Sequence, residues 1–296
     1  MLYTIENDYI HVDVDTHGAQ IMSIYDKTLS REFLWQGAAE AWSNRCLLLF
    51  PATGRIDRNR ITIDGKEYPM AMHGFAKDMD FSLKQYSNNS IILELEDNST
   101  TRKIFPNKFV LQIVLSLDKR RLVEHVKVRN QGDTDMYFSI GLHPGFFCPI
   151  DISESADMYS LVFDQPQNIN KIVLEKNTRL CTRENEILLK DEKEIKLSET
   201  YFDDGPILIE GVTAKWVALK SNESNIYLKM GIDQFPYMTL WGVPHRMSLI
   251  CIEPWCGISD YSGTNHNWSS KVGNNCLKPN SLFEREIWFE AGIGKT

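Results

Sequence analysis

The sequence predicts an all-β protein, built as a large antiparallel β-sandwich with few short helices. Runs in which apolar and polar residues alternate recur along the whole chain, for example at residues 10–14, 90–96 and 109–117. Such alternation is typical of strands that bury one face. Turn residues such as Asp64-Gly65 separate the runs, and helical periodicity is scarce. Strands at this density favour a sandwich or a barrel over a βαβ fold.

The sequence contains no sign of a domain boundary. Its 296 residues include no low-complexity linker, no repeat of constant period and no shift in composition. All-β chains of this length can form a single unit with one large core. We therefore expect one β-sandwich domain over residues 1–296.

Composition and charge limit the classes of molecule that we expect the protein to bind. The formal net charge of −8 argues against a nucleic-acid surface, which would need a clustered excess of Lys and Arg. Residues 1–8 contain no signal-peptide pattern, and no apolar run approaches the roughly 18 residues of a membrane span. None of the six cysteines forms a CxxC motif, so we expect reduced thiols. The sequence thus predicts a cytoplasmic protein that binds neither nucleic acid nor membrane.

One carboxylate follows an apolar stretch. Residues 247–252 form a strand-like run that reaches Glu253, and the Pro254-Trp255 step is expected to break the strand there. Strand alternation places Cys251 on the same face as Glu253. A buried carboxylate is costly unless it is paired or used. Taken alone, this stretch is more typical of a strand-end charge that reaches water, because Glu is mostly exposed.

A second candidate is a histidine near the end of a strand. In residues 137–143, alternation places Ser139 and His143 on the face opposite the apolar side chains. A face with a hydroxyl and an imidazole is more typical of a ligand platform than of a packed interior. Pro144 is then expected to end the strand.

Two loops add an arginine and a further histidine. Residues 49–55 end in Gly54-Arg55, whose guanidinium suits oxygen-rich ligands, although a surface ion pair is the more common arrangement. His73 precedes Gly74 between apolar residues, where the glycine would let the backbone approach a ligand closely. On the sequence alone, a core histidine bonded to a backbone carbonyl is an equal alternative.

Taken together and in this order, the motifs resemble those of the aldose 1-epimerase (galactose mutarotase) family, and most of all its LacX-like branch. The similarity extends over nearly the whole chain. It implies the galactose mutarotase-like supersandwich, with a sugar bound on a concave sheet face. The motifs are Leu-Phe-Pro-x-x-Gly-Arg at 49–55, His-Gly-Phe-Ala at 73–76, Gly-Leu-His-Pro-Gly-Phe at 141–146 and Cys-Ile-Glu-Pro-Trp at 251–255.

The resemblance implies an isomerase that interconverts the α and β anomers of a hexose, with no metal and no organic cofactor. By position, Glu253 matches the family's catalytic base and His143 its catalytic acid, while His73 and Arg55 match residues that position the substrate. The residue types suit this chemistry. A carboxylate can take the proton of the C1 hydroxyl while an imidazolium protonates the ring oxygen.

Two more residues are predicted to bind the sugar. Trp241 ends residues 235–241, where alternation collects aromatic rings on one face. Aromatic faces suit the C–H faces of a sugar, although a hydrophobic sheet face is at least as common. The family also uses an aspartate shortly before the last third of the fold. Residues 202–205 lie in that region, and we favour Asp204 over Asp203.

Several alternatives stay open at this point. A catalytically silent sugar-binding protein can share the same fold. A phosphosugar (hexose-6-phosphate) 1-epimerase would need extra cationic contacts, and four arginines lie between residues 45 and 60. His73, His143 and Glu253 could also ligate a metal, whereas the resemblance implies a metal-free site. The expected partner is a small-molecule aldose, and homodimer formation is left open.

Overall fold

Strands make up most of the structure, which is a computed structural model and describes residues 1–294. Their number and length confirm the predicted all-β class. The strands are β1 (Leu2–Glu6), β2 (Ile10–Asp15), β3 (Gln20–Asp26), β4 (Arg31–Glu32), β5 (Cys46–Leu49), β6 (Arg60–Ile63), β7 (Lys66–Pro69), β8 (Ser82–Ser87), β9 (Ser90–Glu96), β10 (Phe109–Asp118), β11 (Arg121–Asn130), β12 (Met136–Phe138), β13 (Ile140–Phe147), β14 (Tyr159–Leu174), β15 (Cys181–Lys196), β16 (Ile207–Glu210), β17 (Trp216–Ser221), β18 (Ile226–Gly231), β19 (Tyr237–Gly242), β20 (Leu249–Cys256), β21 (Asn275–Leu277) and β22 (Leu282–Ile293).

Helical structure in residues 1–294 is limited to short 3-10 turns, in keeping with the few short helices that the sequence predicts. Within residues 1–294, we find no helix with the length and apolar character that crossing a membrane requires. The single domain over residues 1–296 stays a prediction, and its last two residues lie outside the described range. The 3-10 turns are Asp57–Asn59, Ala76–Asp78, Thr101–Lys103, Ala156–Met158 and Trp268–Ser270.

One long antiparallel sheet organises the molecule. Its fourteen strands run in the order β5-β13-β20-β19-β16-β14-β17-β18-β22-β11-β10-β9-β8, with β15 paired to β14. A second sheet has the order β1-β2-β3-β4, and there are two further strand pairs, the hairpin β6-β7 and the pair β12-β21, whose strands are far apart in the sequence. The largest apolar core draws on both of the larger sheets, because Val12 and Leu111 belong to it together.

The long sheet folds over on itself. Strands β13 and β22 are seven positions apart in the sheet order. In a flat sheet, that separation would be about 34 Å at roughly 4.8 Å per strand. The rings of Phe146 on β13 and Phe289 on β22 nevertheless lie 6.0 Å apart, centroid to centroid. The two halves of the sheet therefore face each other across a shared core, which confirms the predicted sandwich.

Two strands continue where prolines were expected to end them. β13 runs through Pro144, and β20 runs through Pro254. Pairing between these strands is present at residues 140–141 and again at 145–147, but stops between them, where the prolines lie. Proline supplies no N–H donor, so each proline interrupts the ladder locally without ending its strand. The interruption lies beside the two residues predicted to be acid and base.

Candidate active site

His143 and Glu253 form the central pair of the site. The register of β13 and β20 pairs Gly145 with Cys251, so His143 lies opposite Glu253 two residues further along. Their side chains meet with 3.3 Å between Nε2 and Oε2. Only 11% of the His143 side chain and 2% of the Glu253 side chain are exposed. Neighbouring strands therefore bring an imidazole and a carboxyl group to one buried point.

Burial determines the charge state of this pair. It raises the pKa of Glu253 well above its usual range, and it lowers the pKa of His143 to about 3. Both shifts have the same cause, because loss of water disfavours whichever form carries a charge. In the free protein, burial therefore favours an uncharged carboxylic acid beside an uncharged imidazole. The predicted roles, a base at Glu253 and an acid at His143, require a proton to cross the contact between them.

His73 lies beside His143 on a tight loop, with their ring centroids 5.5 Å apart. Gly74 follows it, and a Cβ there would lie 2.2 Å from the Phe50 carbonyl oxygen, so the close approach is to this carbonyl and not to a ligand. The backbone N–H of Gly54 donates to His73 Nδ1 at 3.2 Å. Nε2 must then carry the hydrogen. Burial lowers the pKa of His73 well below its usual value, so the ring is a neutral donor.

Arg55 is held by its backbone, and its side chain lines the cavity. Ser259 Oγ accepts a hydrogen bond from the Arg55 N–H at 2.9 Å, and the Asp260 N–H donates to the Arg55 carbonyl at 2.8 Å. The Asp260 carboxylate in turn lies 3.3 Å from Lys271 Nζ. The exposed Arg55 guanidinium takes part in none of the arginine ion pairs formed by residues 1–294. The surface ion pair considered from the sequence is therefore not formed.

A cavity of about 460 Å³ opens over His143 and Glu253. One wall is Trp42, whose ring stacks on the imidazole of His143 at 4.7 Å between centroids and 22° between planes. Trp241 meets the Trp42 ring edge-on at 6.1 Å. The sequence reasoning missed Trp42, which lies on an irregular segment about 100 residues from its partner. The cavity brings together five predicted residues, namely Arg55, His73, His143, Trp241 and Glu253.

The predicted aspartate needs correction, because Asp203 and not Asp204 lines the cavity. Asp203 accepts a hydrogen bond from the backbone N–H of His245 at 2.7 Å and lies 2.9 Å from the Nδ1 atom of that residue. Asp204 contributes its backbone carbonyl, which accepts a hydrogen bond from Arg179 at 2.6 Å. Adjacent residues of one turn direct their side chains differently, and spacing in the sequence does not reveal which one faces the cavity.

The four arginines of the predicted basic cluster do not all line the cavity. Of the four arginines between residues 45 and 60, only Arg55 is among the described residues that line the cavity. Arg45 and Arg60 bond elsewhere. A different arginine, Arg179, reaches the cavity from the turn between β14 and β15. No local pattern marks Arg179, because its position depends on how this long hairpin packs over the sheet.

The fold and the cavity can now be compared with known proteins. The chain belongs to the aldose 1-epimerase family, because the protein-family model described as "Aldose 1-epimerase" matches residues 1–266. This match confirms the resemblance seen in the motifs. Together with the solved structures described next, it supports a mutarotase-type function.

Three relatives make the comparison more specific. The plasmid-borne protein LacX of Lactococcus lactis subsp. lactis is 27% identical over 266 residues, which are 88% of this chain and 89% of that protein. A galactose mutarotase related enzyme from Lactobacillus acidophilus is 30% identical, with a TM-score of 0.93 over 99% of this chain and 97% of that one. A galactose mutarotase-like protein from Lactobacillus casei is 25% identical, with a TM-score of 0.92 over 99% and 100% of the two chains. The predicted LacX-like branch and the supersandwich fold are confirmed.

Proposed function

We propose that this chain is an aldose 1-epimerase, which interconverts the α and β anomers of a hexose by opening and closing the sugar ring. The observation that carries the proposal is the buried 3.3 Å contact between His143 Nε2 and Glu253 Oε2 at the cavity. Ring opening needs one group that takes a proton and another that gives one at neighbouring points of the sugar. Family membership supports the same reaction.

Each ring opening moves two protons. The carboxylate of Glu253 takes the proton of the C1 hydroxyl, while the imidazolium of His143 gives its proton to the ring oxygen. The bond between C1 and the ring oxygen breaks with its electron pair on that oxygen, and C1 becomes an aldehyde carbon. After rotation about the C1–C2 bond, both protons return and the ring closes with the opposite configuration. No atom, proton or electron is gained or lost overall.

Substrate binding sets up the charges that this step needs. In the free protein the proton lies on Glu253, because burial favours the uncharged forms. Hydrogen bonds from sugar hydroxyls to the Glu253 carboxylate favour its ionised form. That carboxylate then stabilises the imidazolium of His143 through their direct contact. The ion pair between His143 and Glu253 is therefore favoured with the sugar bound, and the uncharged pair is favoured without it.

Four cavity residues are suited to orient the sugar. His73 offers its Nε2–H as a neutral donor, because the Gly54 N–H already occupies Nδ1. The Arg55 guanidinium offers several donors to ring hydroxyls. Trp241 lines the cavity, and aromatic rings suit the C–H groups of a sugar. Asp203 supplies a carboxylate that can accept from a sugar hydroxyl.

Replacement of Glu253 by glutamine tests the base. We expect Glu253→Gln to slow anomer exchange by about 10²–10⁴-fold, because an amide cannot take the C1 proton. The measurement is polarimetry on freshly dissolved α-glucose and α-galactose. Glu124→Gln is the matched control, since Glu124 is also buried but does not line the cavity. An unchanged rate in Glu253→Gln would contradict the assignment. Sugar binding by calorimetry without any acceleration in the parent chain would favour a catalytically silent binding protein.

A phosphosugar 1-epimerase is the second candidate, and the observation that favours it is a pair of arginines. Arg55 and Arg179 both line the cavity. Neither takes part in an ion pair formed by residues 1–294, so both guanidiniums can bind a phosphate. The test compares kcat/KM for α-glucose and its 6-phosphate. A strong preference for the phosphate that Arg179→Gln abolishes would support this candidate, and equal values would count against it.

A further inference from the structure

We propose that His143, Cys251 and Glu253 form a binding site for a thiophilic divalent cation, with Zn²⁺ as the expected ion, and that this cation blocks the acid–base pair. One ligand atom from each of the three residues lies within 4.8 Å of the other two. An imidazole nitrogen, a thiolate and a carboxylate oxygen are the three ligand types that Zn²⁺ takes in proteins. The set differs from the one considered from the sequence, because Cys251 takes the place of His73.

The nitrogen and oxygen already have the spacing that a bound cation requires. In a tetrahedral site, Zn–N and Zn–O bonds of about 2.0–2.1 Å place the two ligand atoms about 3.3 Å apart. His143 Nε2 and Glu253 Oε2 lie 3.3 Å apart in the structure. Zinc could therefore bridge these atoms without a change in the register of β13 and β20.

Cys251 has the position of a third ligand. It lies on β20 two residues before Glu253, so the two side chains share one face of the strand. Its side chain is fully buried, beside Trp42 and Trp241. Gly145 lies opposite it on β13, where a Cβ would stand 3.4 Å from the sulfur. A Cβ there would also lie 2.8 Å from the Trp42 ring, so the ring that stacks on His143 fills the space over the glycine and lies close to the sulfur.

The charges of this ligand set suit a buried cation. A thiolate and a carboxylate together balance the two positive charges of Zn²⁺, and the imidazole is neutral, so the complex carries no net charge into the buried site. The thiol and the carboxylic acid release their protons to water on binding. Glu253 Oε2 has no hydrogen-bond partner within residues 1–294, and the cation would give this buried oxygen one. The fourth position would face the cavity.

A cation held there would compete with the sugar. It would occupy the lone pair with which Glu253 takes the C1 proton, and the nitrogen through which His143 delivers the other. Inhibition of anomer exchange therefore rests on the proposed function. Cation binding itself rests only on the three side chains, so the two can be tested separately.

Cobalt provides the direct test, because Co²⁺ takes zinc sites and shows a thiolate-to-metal charge-transfer band in the near ultraviolet. The chain carries Cys276→Ala in every sample, since Cys276 is exposed and offers a competing thiol. We expect Co²⁺ alone to produce the band with saturation at one ion per chain. Cys251→Ser and Cys251→Ala should both lose the band. Cys256→Ala is the matched control, because Cys256 is buried on β20 but on the opposite face, and it should keep the band.

Two cobalt results would overturn the proposal. One is the absence of the band in the parent chain, and the other is its persistence in both Cys251 variants. Near-ultraviolet circular dichroism checks that each variant keeps the fold. In a parallel arm, Zn²⁺ should inhibit anomer exchange in the parent, and the inhibition should weaken roughly ten-fold or more in Cys251→Ser. Equal inhibition in the two chains would also overturn it. A chain that binds cobalt but lacks mutarotase activity would contradict the proposed function alone.

Discussion

Two glutamates of this chain are buried to nearly the same degree, in different surroundings. Glu253 is 1% exposed and Glu124 is 2% exposed. In both, Oε2 lacks a hydrogen-bond partner among residues 1–294. Burial raises the pKa of both carboxyl groups, in the case of Glu124 to about 8. Exposure and the direction of the pKa shift alone therefore do not distinguish the two residues.

The residues around Glu253 and Glu124 distinguish the two. Glu253 faces the imidazole of His143 and lines the cavity. Glu124 lies on β11, where the register sets it beside Leu115 on β10 and Ile287 on β22. A carboxyl group with a raised pKa therefore marks a candidate site only where a proton partner and a space for the substrate accompany it. The predictions below test this distinction.

The largest expected effect comes from removing the proton partner. We expect His143→Gln to lower kcat for anomer exchange by about 10²–10⁴-fold, because an amide cannot donate the proton that the ring oxygen needs. The double variant with Glu253→Gln should be little slower than the slower single variant, since the two groups act as a unit. Steady-state polarimetry gives both values. If the two losses simply multiplied, His143 and Glu253 would not work on the same step.

Glu124 should control stability instead of activity. Its ordinary pKa of 4.5 applies in the unfolded chain, and its pKa in the folded protein is about 8. Between these values the unfolded chain releases a proton that the folded protein keeps, so the free energy of unfolding falls as pH rises from 4.5 to about 8. Above pH 8 both states are ionised and the effect levels off. At about 1.4 kcal/mol per pKa unit, the contribution amounts to a few kcal/mol.

Urea unfolding from pH 5 to pH 8 checks this prediction. The fall in unfolding free energy should be smaller in Glu124→Gln than in the parent by a few kcal/mol. The comparison of variant with parent isolates Glu124 from the other buried titratable groups. Glu40→Gln is the control, because Glu40 is exposed, and it should keep the full fall. An identical pH dependence in Glu124→Gln and the parent would show that burial does not raise the pKa of Glu124.

Strand periodicity predicted the elements that carry His143 and Glu253. Alternation placed Glu253 on the face of Cys251 and His143 on the face away from the core, and the register then joins the two strands. The same alternation puts Glu124 on the face of Leu122 and Val126, so its burial could also have been read from the sequence. Local patterns were sufficient here because each of these positions depends on one strand.

The features that the sequence did not reveal depend on distant packing. Trp42 stacks on His143 from an irregular segment, and Arg179 bonds to Asp204 across two separate turns. No spacing rule connects such residues, because their contact follows from how the sheet folds over. Pro144 and Pro254 were misjudged for a related reason. Each proline removes one N–H from the ladder between β13 and β20, but pairing is present again on either side of the gap, so neither strand ends there.

The smallest predicted effect concerns Trp42, which forms one wall of the cavity. Glu124 does not line this cavity. Trp42→Ala removes the ring that stacks on His143 at 4.7 Å. A stacked aromatic pair contributes about 0.5–1.5 kcal/mol, so kcat/KM should fall roughly 2- to 10-fold. Trp42→Phe keeps an aromatic face and should recover most of the lost kcat/KM. If the smaller side-chain volume lowered activity through the fold instead, both variants would lose activity. Polarimetry over a range of sugar concentrations separates kcat from KM. Full activity in Trp42→Ala would show that His143 is oriented by its strand alone.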